Sequence, residues 1–216
     1  MNQHYFITGT DTGVGKTHVT AALLRELRRQ GIKAAAFKPI ACGPGGRDDA
    51  KIYRRLMHNE VPLDLLNPVY LKQPLAPVVA AKMEHREISL HNIRTAYRSL
   101  SAEYQVVLVE GAGGLMVPIK RDYYIADLAK DLELPVLIVS RLSLGTINHS
   151  VLTVRAAQSA GLRVAGIILN DTLGRTGLAE RTNVTAVPAT CGVPLLGVVA
   201  HKAQPDVRKI VVKCWR

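Results

Sequence analysis

A glycine-rich loop near the start of the sequence constrains the fold more than any other segment. The run GTDTGVGKT, residues 9–17, follows a short apolar stretch at 5–8 and leads into an amphipathic stretch at 17–30. Glycines allow backbone N–H groups to surround phosphate oxygens, and the positive end of a following helix points at the same oxygens. A strand, a phosphate-binding loop and a helix in this order predict a P-loop nucleotide-binding fold.

The spacing of this loop differs from the usual pattern. The pattern GxxxxGK[ST] has its first glycine one position after Gly9, where this sequence has Thr10. A chance glycine-rich turn is the alternative interpretation. The position between a strand and a helix favours a nucleotide site, with Gly13, Val14 and Gly15 around the phosphates.

The last two residues of the loop suit a metal-bound triphosphate. The ammonium of Lys16 can reach the β- and γ-phosphates, and the hydroxyl of Thr17 can bind Mg²⁺. The loop therefore predicts ATP and Mg²⁺ as cofactors.

Short apolar runs alternate with amphipathic ones along the rest of the chain, a pattern typical of βαβ units. Apolar residues make up 48% of the sequence and aromatic residues 5%, so the core must consist mainly of Val, Leu, Ile and Ala. We predict a single-domain α/β fold of the P-loop NTPase type, with a mostly parallel central sheet flanked by helices on both faces. The predicted strands are residues 5–8, 34–37, 106–109, 136–139, 164–169 and 195–199. The predicted helices are residues 17–30, 49–57, 89–100 and 147–160, and residues 58–77 are predicted to be irregular.

Polar side chains follow three of the predicted strands. Lys38, Glu110 and Asn170 each come directly after an apolar run. Ligands of open α/β sheets bind beyond the carboxyl ends of the strands, so we expect these three residues to share one site. Lys38 would then face an anionic ligand, although an exposed strand-end lysine is an equally good interpretation of that residue alone.

Carboxylates in these positions are candidate ligands for Mg²⁺, which prefers oxygen donors. Glu110 precedes the run GAGG, which permits close approach of a ligand, and a turn or capping carboxylate is the alternative. Asp48 and Asp49 begin a predicted helix. Either is a metal ligand or an ordinary carboxylate at a helix N-terminus.

Composition limits the partners and the compartment. Lys and Arg outnumber Asp and Glu by 28 to 17, which suits a nucleic acid or an anionic membrane, but equally a basic surface in a basic proteome. The charges are spread out and rarely adjoin aromatic residues, so we expect no nucleic acid and no membrane as partner. The sequence has no apolar run of about 18 residues that could span a membrane. Three scattered cysteines and the lack of a secretory signal predict a cytoplasmic protein.

Several segments together resemble the dethiobiotin synthetase family. The resemblance extends from about residue 5 to residue 199, and the loop and the EGAGG run are its most specific parts. The matching segments, in order, are GTDTGVGKT at 9–17, FKPI at 37–40, NP at 67–68, VEGAGG at 109–114, LGTINH at 144–149, AG at 165–166 and ND at 170–171.

The resemblance implies a reaction in which 7,8-diaminononanoate, CO₂ and ATP form dethiobiotin, ADP and phosphate, a step of biotin biosynthesis. One amine captures CO₂ as a carbamate, the carbamate attacks the γ-phosphate, and the second amine then displaces phosphate and closes the ring. No protein nucleophile takes part, so catalysis consists of positioning and charge neutralisation.

The resemblance also implies roles for individual residues. Lys16 and Thr12 would lie beside the β- and γ-phosphates, and Lys38 would contact the carbamate and the γ-phosphate. Asn170 would recognise adenine through its amide. The set that would hold Mg²⁺ is Thr17, Asp49 and Glu110, with Asp49 preferred over Asp48 because it precedes Ala50.

Three further residues are implied to bind the diamine. Gly145 and Asn148 begin a predicted helix and would bind the carboxylate tail of the substrate in the neighbouring subunit, which implies a homodimer. Asn148 alone also suits a helix cap. Cys42 stands where the family often has a substrate-binding serine, and a thiol donates a weaker hydrogen bond. Ser143 stands where a lysine can precede the Leu-Gly pair.

The C-terminal segment differs from the family pattern. Residues 204–216 match no part of that pattern, so we divide the chain into a ligase domain at 1–203 and a divergent tail at 204–216. Two other functions compete with the ligase. A cobyrinate-type amidoligase commonly carries a glutaminase domain, which this length excludes. A partition-type ATPase switch suits the basic charge, but it usually has a second lysine near the start of the loop, where Thr10 and Asp11 stand here.

Overall fold

Strands and helices alternate along residues 3–45, 47–174, 177–202 and 204–215, which are the residues described by this computed structural model. The strands are β1 (Tyr5–Gly9), β2 (Ala34–Phe37), β3 (Ile40–Cys42), β4 (Val69–Leu71), β5 (Val106–Glu110), β6 (Pro118–Lys120), β7 (Tyr123–Tyr124), β8 (Val136–Arg141), β9 (Val164–Asn170) and β10 (Leu195–Val199). The helices are α1 (Lys16–Arg29), α2 (Asp48–Leu56), α3 (Leu63–Leu66), α4 (Pro77–Met83), α5 (Leu90–Glu103), α6 (Ile125–Asp131), α7 (Thr146–Ser159), α8 (Leu178–Cys191) and α9 (Arg208–Trp215).

Six strands form one parallel sheet in the order β10-β9-β8-β1-β5-β2. Every residue of β1, β2 and β5 is buried. Successive side chains of a strand point to opposite faces, so the sheet is covered on both faces there, as its continuous apolar runs require. Ile7 pairs with Glu110, which brings the end of β5 beside the start of the phosphate loop. All six predicted strands and the α/β fold class are confirmed.

The four predicted helices are present, with ends shifted by a few residues. α1 is followed by Gly31, whose φ of 79° suits the glycine that terminates a helix. Ser89 caps α5, because its hydroxyl accepts a hydrogen bond of 3.2 Å from the backbone N–H of Asn92. Among the described residues, no helix has both the length and the apolar character needed to cross a membrane.

Several elements were not predicted. Residues 58–77 are not uniformly irregular as expected, because they contain α3 and β4. β4 pairs in parallel with β3, which forms a small second sheet. Each of these strands has only three residues, too few for a period of two to be recognised.

The C-terminal tail forms a helix. α9 packs against β10 and α1, and it buries Ile210, Val211 and Cys214. The hydroxyl of Tyr5 donates a 2.9 Å hydrogen bond to the carbonyl oxygen of Cys214, so the end of the chain is joined to β1. The predicted boundary at residue 203 lies outside the described residues, and the division of the chain there stays a prediction.

Candidate active site

A cavity of about 830 Å³ opens at the carboxyl ends of the central strands, beside the phosphate loop. This position agrees with the general location of ligands in open α/β sheets. The cavity brings together most of the predicted site residues. Those that line it are Thr12, Gly13, Gly15, Lys16, Thr17, Lys38, Cys42, Asp49 and Glu110.

The backbone of the phosphate loop requires glycine at two positions. Gly13 and Gly15 have φ values of 72° and 87°, in the left-handed region. A Cβ atom at Gly15 would lie 2.0 Å from Nδ2 of Asn170, so this glycine also allows the loop and β9 to approach each other. Gly15 immediately precedes α1, and the first N–H groups of that helix are therefore directed at the site.

Lys16 lies against its own loop. Its Nζ donates a 2.9 Å hydrogen bond to the carbonyl oxygen of Asp11. Burial lowers the pKa of Lys16 to about 8, although the carboxylate of Glu110 acts in the opposite direction. Burial thus disfavours the charged form of this lysine, and an anionic partner would stabilise it.

Lys38 bridges the two predicted carboxylates. Its Nζ lies 2.7 Å from Oδ2 of Asp49 and 2.6 Å from Oε1 of Glu110. Burial opposes the charge of this lysine, but Glu110 and then Asp49 outweigh burial and raise its pKa. Lys38 is 6% exposed and Glu110 is fully buried. The interpretations of Lys38 as an exposed strand-end lysine and of Glu110 as a turn carboxylate are therefore wrong.

The oxygens around Lys38 form a set that fits Mg²⁺. The hydroxyl of Thr17 donates a 2.9 Å hydrogen bond to Oε1 of Glu110, so this hydroxyl and two carboxylates converge where an ammonium already lies. Asp48 also lines the cavity, but its carboxylate pairs with Lys51 rather than with Lys38. The described residues contain no cluster of three or more His, Cys, Asp or Glu side chains suited to a metal. A set of two carboxylates and a hydroxyl is typical of Mg²⁺ sites that also use phosphate oxygens and water.

Asn170 lies on the other side of the loop. Its Nδ2 donates a 2.9 Å hydrogen bond to the carbonyl oxygen of Val14. The side chain is 3% exposed, and Oδ1 is buried without a hydrogen-bond partner among the described residues. A buried acceptor without a donor is unfavourable, so this oxygen is suited to a ligand that brings a donor. Lys38 and Glu110 line the cavity, whereas Asn170 is not among its lining residues. The expectation that all three share one site therefore stays a prediction.

Cys42 ends β3 and lines the cavity. Burial raises the pKa of its thiol to about 11. The thiol is therefore protonated at neutral pH and can donate a weak hydrogen bond, but it is not a nucleophile.

Gly145 and Asn148 lie outside this cavity, at the start of α7, and both are exposed. α7 begins at Thr146 and Gly145 caps it, so the interpretation of Asn148 as a helix cap is wrong. Asn148 and Leu152 share one side of the helix, because they are spaced four residues apart, and Leu144 immediately precedes the cap. Leu144 is 88% exposed and Leu152 is 58% exposed.

Two residues near the site were not predicted. Tyr53, on α2, donates its hydroxyl to Oε2 of Glu110. Arg141 ends β8, and its Nη2 lies 3.3 Å from Oδ2 of Asp11 and 3.2 Å from the carbonyl oxygen of Thr12. Arg141 stands at the end of a strand, as Lys38 does, so the same sequence signal could have identified it. The only sequence signal for Tyr53 is its position one turn after Asp49.

Comparison with known proteins identifies relatives that cover most of the chain. A family model described as an AAA domain matches residues 3–207. The ATP-dependent dethiobiotin synthetase BioD of Bacillus licheniformis is 41% identical over 197 residues, which cover 90% of this chain and 84% of that protein. The protein of the same name from Methanocaldococcus jannaschii is 43% identical over 208 residues, covering 94% of this chain and 96% of that protein.

Solved structures support the fold assignment. The MinC:MinD cell division protein complex from Aquifex aeolicus aligns with a TM-score of 0.62 and 15% identity, over 98% of this chain and 93% of that chain. At this identity the likeness shows a common fold alone. The length and identity of the sequence matches show that the chain belongs to the family of ATP-dependent dethiobiotin synthetases.

Proposed function

We propose that this protein forms dethiobiotin from 7,8-diaminononanoate, CO₂ and ATP, with Mg²⁺, in the cytoplasm. The observation that carries the proposal is the position of Lys38, a buried cation beside the phosphate loop and between two carboxylates. The chemistry requires a fixed positive charge where a carbamate meets a γ-phosphate, and a buried, preorganised ammonium is effective there because it needs little reorganisation. The three cysteines are free thiols, which supports a reducing compartment.

The phosphate loop orients the triphosphate. Backbone N–H groups around Gly13, Val14 and Gly15 bind phosphate oxygens. Lys16 exchanges its contact with the Asp11 carbonyl for the β- and γ-phosphates, and Thr12 lies beside them at the mouth of the cavity. Burial disfavours the charged form of Lys16. A bound phosphate favours that form, so its binding raises the pKa of Lys16 and keeps the ammonium protonated.

Lys38 acts at the reacting atoms. Its ammonium holds the carbamate oxygen close to the γ-phosphate and reduces the repulsion between two anions. Thr17, Asp49 and Glu110 would hold Mg²⁺, which supplies charge neutralisation at the phosphates when bound. Positioning by Lys38 and charge neutralisation by Mg²⁺ require no covalent bond between the protein and the substrate.

The base and the diamine bind at different parts of the site. Oδ1 of Asn170 accepts a hydrogen bond from the exocyclic amine of adenine, which satisfies the oxygen that lacks a donor. The diamine lies along the wall that contains Cys42 and the apolar residues Leu75 and Pro77. Its hydrocarbon chain suits this surface because burial of apolar area is favourable.

A second copy of the chain completes the substrate site. Gly145 and Asn148 would bind the carboxylate of the substrate in the neighbouring subunit, with exposed Leu144 and Leu152 in the contact between subunits. Apolar side chains with this exposure are suited to an interface. The protein is therefore proposed to be a homodimer with shared sites.

The direct test is dethiobiotin formation by the wild-type protein and by Lys16→Ala. We expect product with the wild type and loss of about 10²–10³-fold in rate with the variant. Lys33→Ala is the matched control, because Lys33 is an exposed lysine paired with Glu103. ATP binding without product would reject the ligase, and ATP hydrolysis stimulated by DNA or lipid without diamine would favour the partition-type switch.

The shared site has its own test. Lys16→Ala and Asn148→Ala are each expected to be nearly inactive. Mixing the two allows one intact site per heterodimer, with Lys16 from one chain and Asn148 from the other, so activity should recover. Lack of recovery, in a mixture shown to exchange subunits, would reject the contribution of Asn148 to a neighbouring site.

A further inference from the structure

Helix α2 directs two side chains at the same site. Asp49 and Tyr53 are four residues apart, so they lie on one side of the helix. Asp49 pairs with Lys38, and the hydroxyl of Tyr53 donates to Glu110. Asp49 is partly exposed, whereas Tyr53 is fully buried with its ring in the core. The helix is therefore linked to the end of β5 by an aromatic ring that cannot easily move.

The two oxygens of Glu110 have different partners. Oε1 accepts from Thr17 at 2.9 Å and from Lys38 at 2.6 Å. Oε2 accepts from Tyr53. Among the described residues, the donors beside the phosphate loop therefore meet Oε1, and one donor from the core meets Oε2.

We infer that Tyr53 is a positioning residue that orients Glu110 for the metal–nucleotide complex, an inference that rests on the proposed function of Glu110. The tyrosine hydroxyl prevents rotation of the carboxylate and keeps Oε1 directed at the phosphate loop. Hydrogen-bond donors behind a metal-binding carboxylate act in this way, because they fix the orientation of the ligand atom.

The chemistry of tyrosine suits this task. A phenol is a neutral donor, so it holds the carboxylate without cancelling the negative charge that a metal requires. A lysine or arginine in its place would form an ion pair with Glu110 and compete with the metal. Lys38 differs in this respect, because its ammonium must leave Glu110 at least in part when it turns to the phosphate and the carbamate.

Removal of the hydroxyl leaves Oε2 buried without a donor. The carboxylate can then rotate, so that Oε1 no longer faces the loop in every molecule. We expect Tyr53→Phe to weaken the affinity for a divalent cation in the presence of nucleotide by about 10–100-fold, the range typical of residues behind a metal ligand. The ring itself still fills the core, because phenylalanine differs from tyrosine only in the hydroxyl.

The test measures binding as well as turnover. Mn²⁺ is titrated by electron paramagnetic resonance into wild type, Tyr53→Phe and Tyr104→Phe, each with a non-hydrolysable ATP analogue. Tyr104→Phe is the matched control, because Tyr104 is also buried and its hydroxyl lies 3.4 Å from Oε2 of Glu60, away from the site. Dethiobiotin formation is then measured against Mg²⁺ concentration for the same proteins.

Support requires weaker Mn²⁺ binding by Tyr53→Phe alone, and a higher Mg²⁺ requirement with a rate that recovers at saturating Mg²⁺. Equal Mn²⁺ affinity in Tyr53→Phe and wild type would overturn the role of Tyr53 while leaving the proposed function intact. A rate loss that no Mg²⁺ concentration corrects would also overturn it, since that indicates general structural damage. Absence of Mn²⁺ binding by the wild type would reject the proposed metal site, and the role of Tyr53 with it.

Discussion

At the proposed γ-phosphate end of the site Lys38 is held between Asp49 and Glu110, whereas at the proposed base end Asn170 keeps a buried oxygen that has no donor among the described residues. Lys38, Asp49 and Glu110 at the first end are already paired with one another, so bound phosphate must replace contacts that already exist there. The second end has an acceptor that simply gains a partner. If the proposed function is right, we expect the γ-phosphate end to control the rate and the base end to control the choice of nucleotide.

Lys38→Met removes the cation at the proposed γ-phosphate end and has the largest expected effect. Dethiobiotin formation should fall by about 10²–10³-fold, because the proposed function places Lys38 at the reacting atoms as a preorganised cation. The free energy of unfolding should fall by about 3–5 kcal/mol, because the buried carboxylate of Glu110 loses its cationic partner. Initial rates and urea denaturation measure the two effects.

The control for this change is Lys33→Met. Lys33 and Glu103 form an exposed pair, and such pairs contribute only about 0–1 kcal/mol. If Lys38→Met and Lys33→Met proved equally active and equally stable, the assignment of Lys38 to the reacting atoms would be wrong.

Gly15→Ala disturbs the junction between the two ends. A methyl group there would meet Nδ2 of Asn170 at 2.0 Å, on a backbone with a φ of 87°. We expect ATP affinity to fall by about 100-fold, since strain and a collision at one position together amount to a few kcal/mol. Calorimetric titration with ATP measures the change.

Gly31→Ala is the control that separates the effect of backbone strain from the effect of the collision with Asn170. Gly31 has a similar φ of 79°, but nothing lies within 4 Å of the added Cβ. It should lose stability without losing ATP affinity. Equal loss of ATP affinity in both variants would mean that contact between the loop and Asn170 has no importance for binding.

The sequence was sufficient to predict which polar residues stand at the carboxyl ends of the strands. Val106–Glu110 is apolar up to its last residue, and a carboxylate there has no place in ordinary packing. The same argument places Lys38 and Asn170, because parallel strands share one edge for their carboxyl ends. Local pattern and global topology agree at these positions, and this agreement makes them predictable.

Other parts of the structure could not be predicted. The contact between Tyr53 and Glu110 joins residues 57 positions apart. A tyrosine at a buried position of a helix is common, so it does not by itself indicate such a contact. α8 contains Pro188 and several β-branched residues, which weaken the helical signal. α9 lies in the predicted tail at 204–216, where no helix was predicted, and it forms because its apolar side chains pack on β10 and α1.

Asn170→Ala tests whether the base end controls the choice of nucleotide. Removing the amide takes away both the acceptor for an adenine amine and the 2.9 Å hydrogen bond to Val14. We expect about a tenfold higher KM for ATP, with little change in kcat, and a smaller preference for ATP over GTP. Steady-state rates with both nucleotides measure this preference. A lower kcat at unchanged KM would place Asn170 at the chemical step instead.

The pH dependence of ATP binding distinguishes the two lysines and has the smallest expected effect. Burial lowers the pKa of Lys16 to about 8, whereas Glu110 and Asp49 outweigh burial at Lys38 and raise its pKa. Lys16 is therefore charged below pH 8 and loses its proton as the pH rises through that value, while Lys38 stays charged. Affinity for ATP should be about fourfold weaker at pH 8.5 than at pH 7, because the neutral amine must be protonated again before it can bind phosphate. Calorimetric titration at both pH values measures the ratio, and Lys16→Gln should show no such change. If Lys16→Gln kept the same pH dependence, another group would be responsible for it.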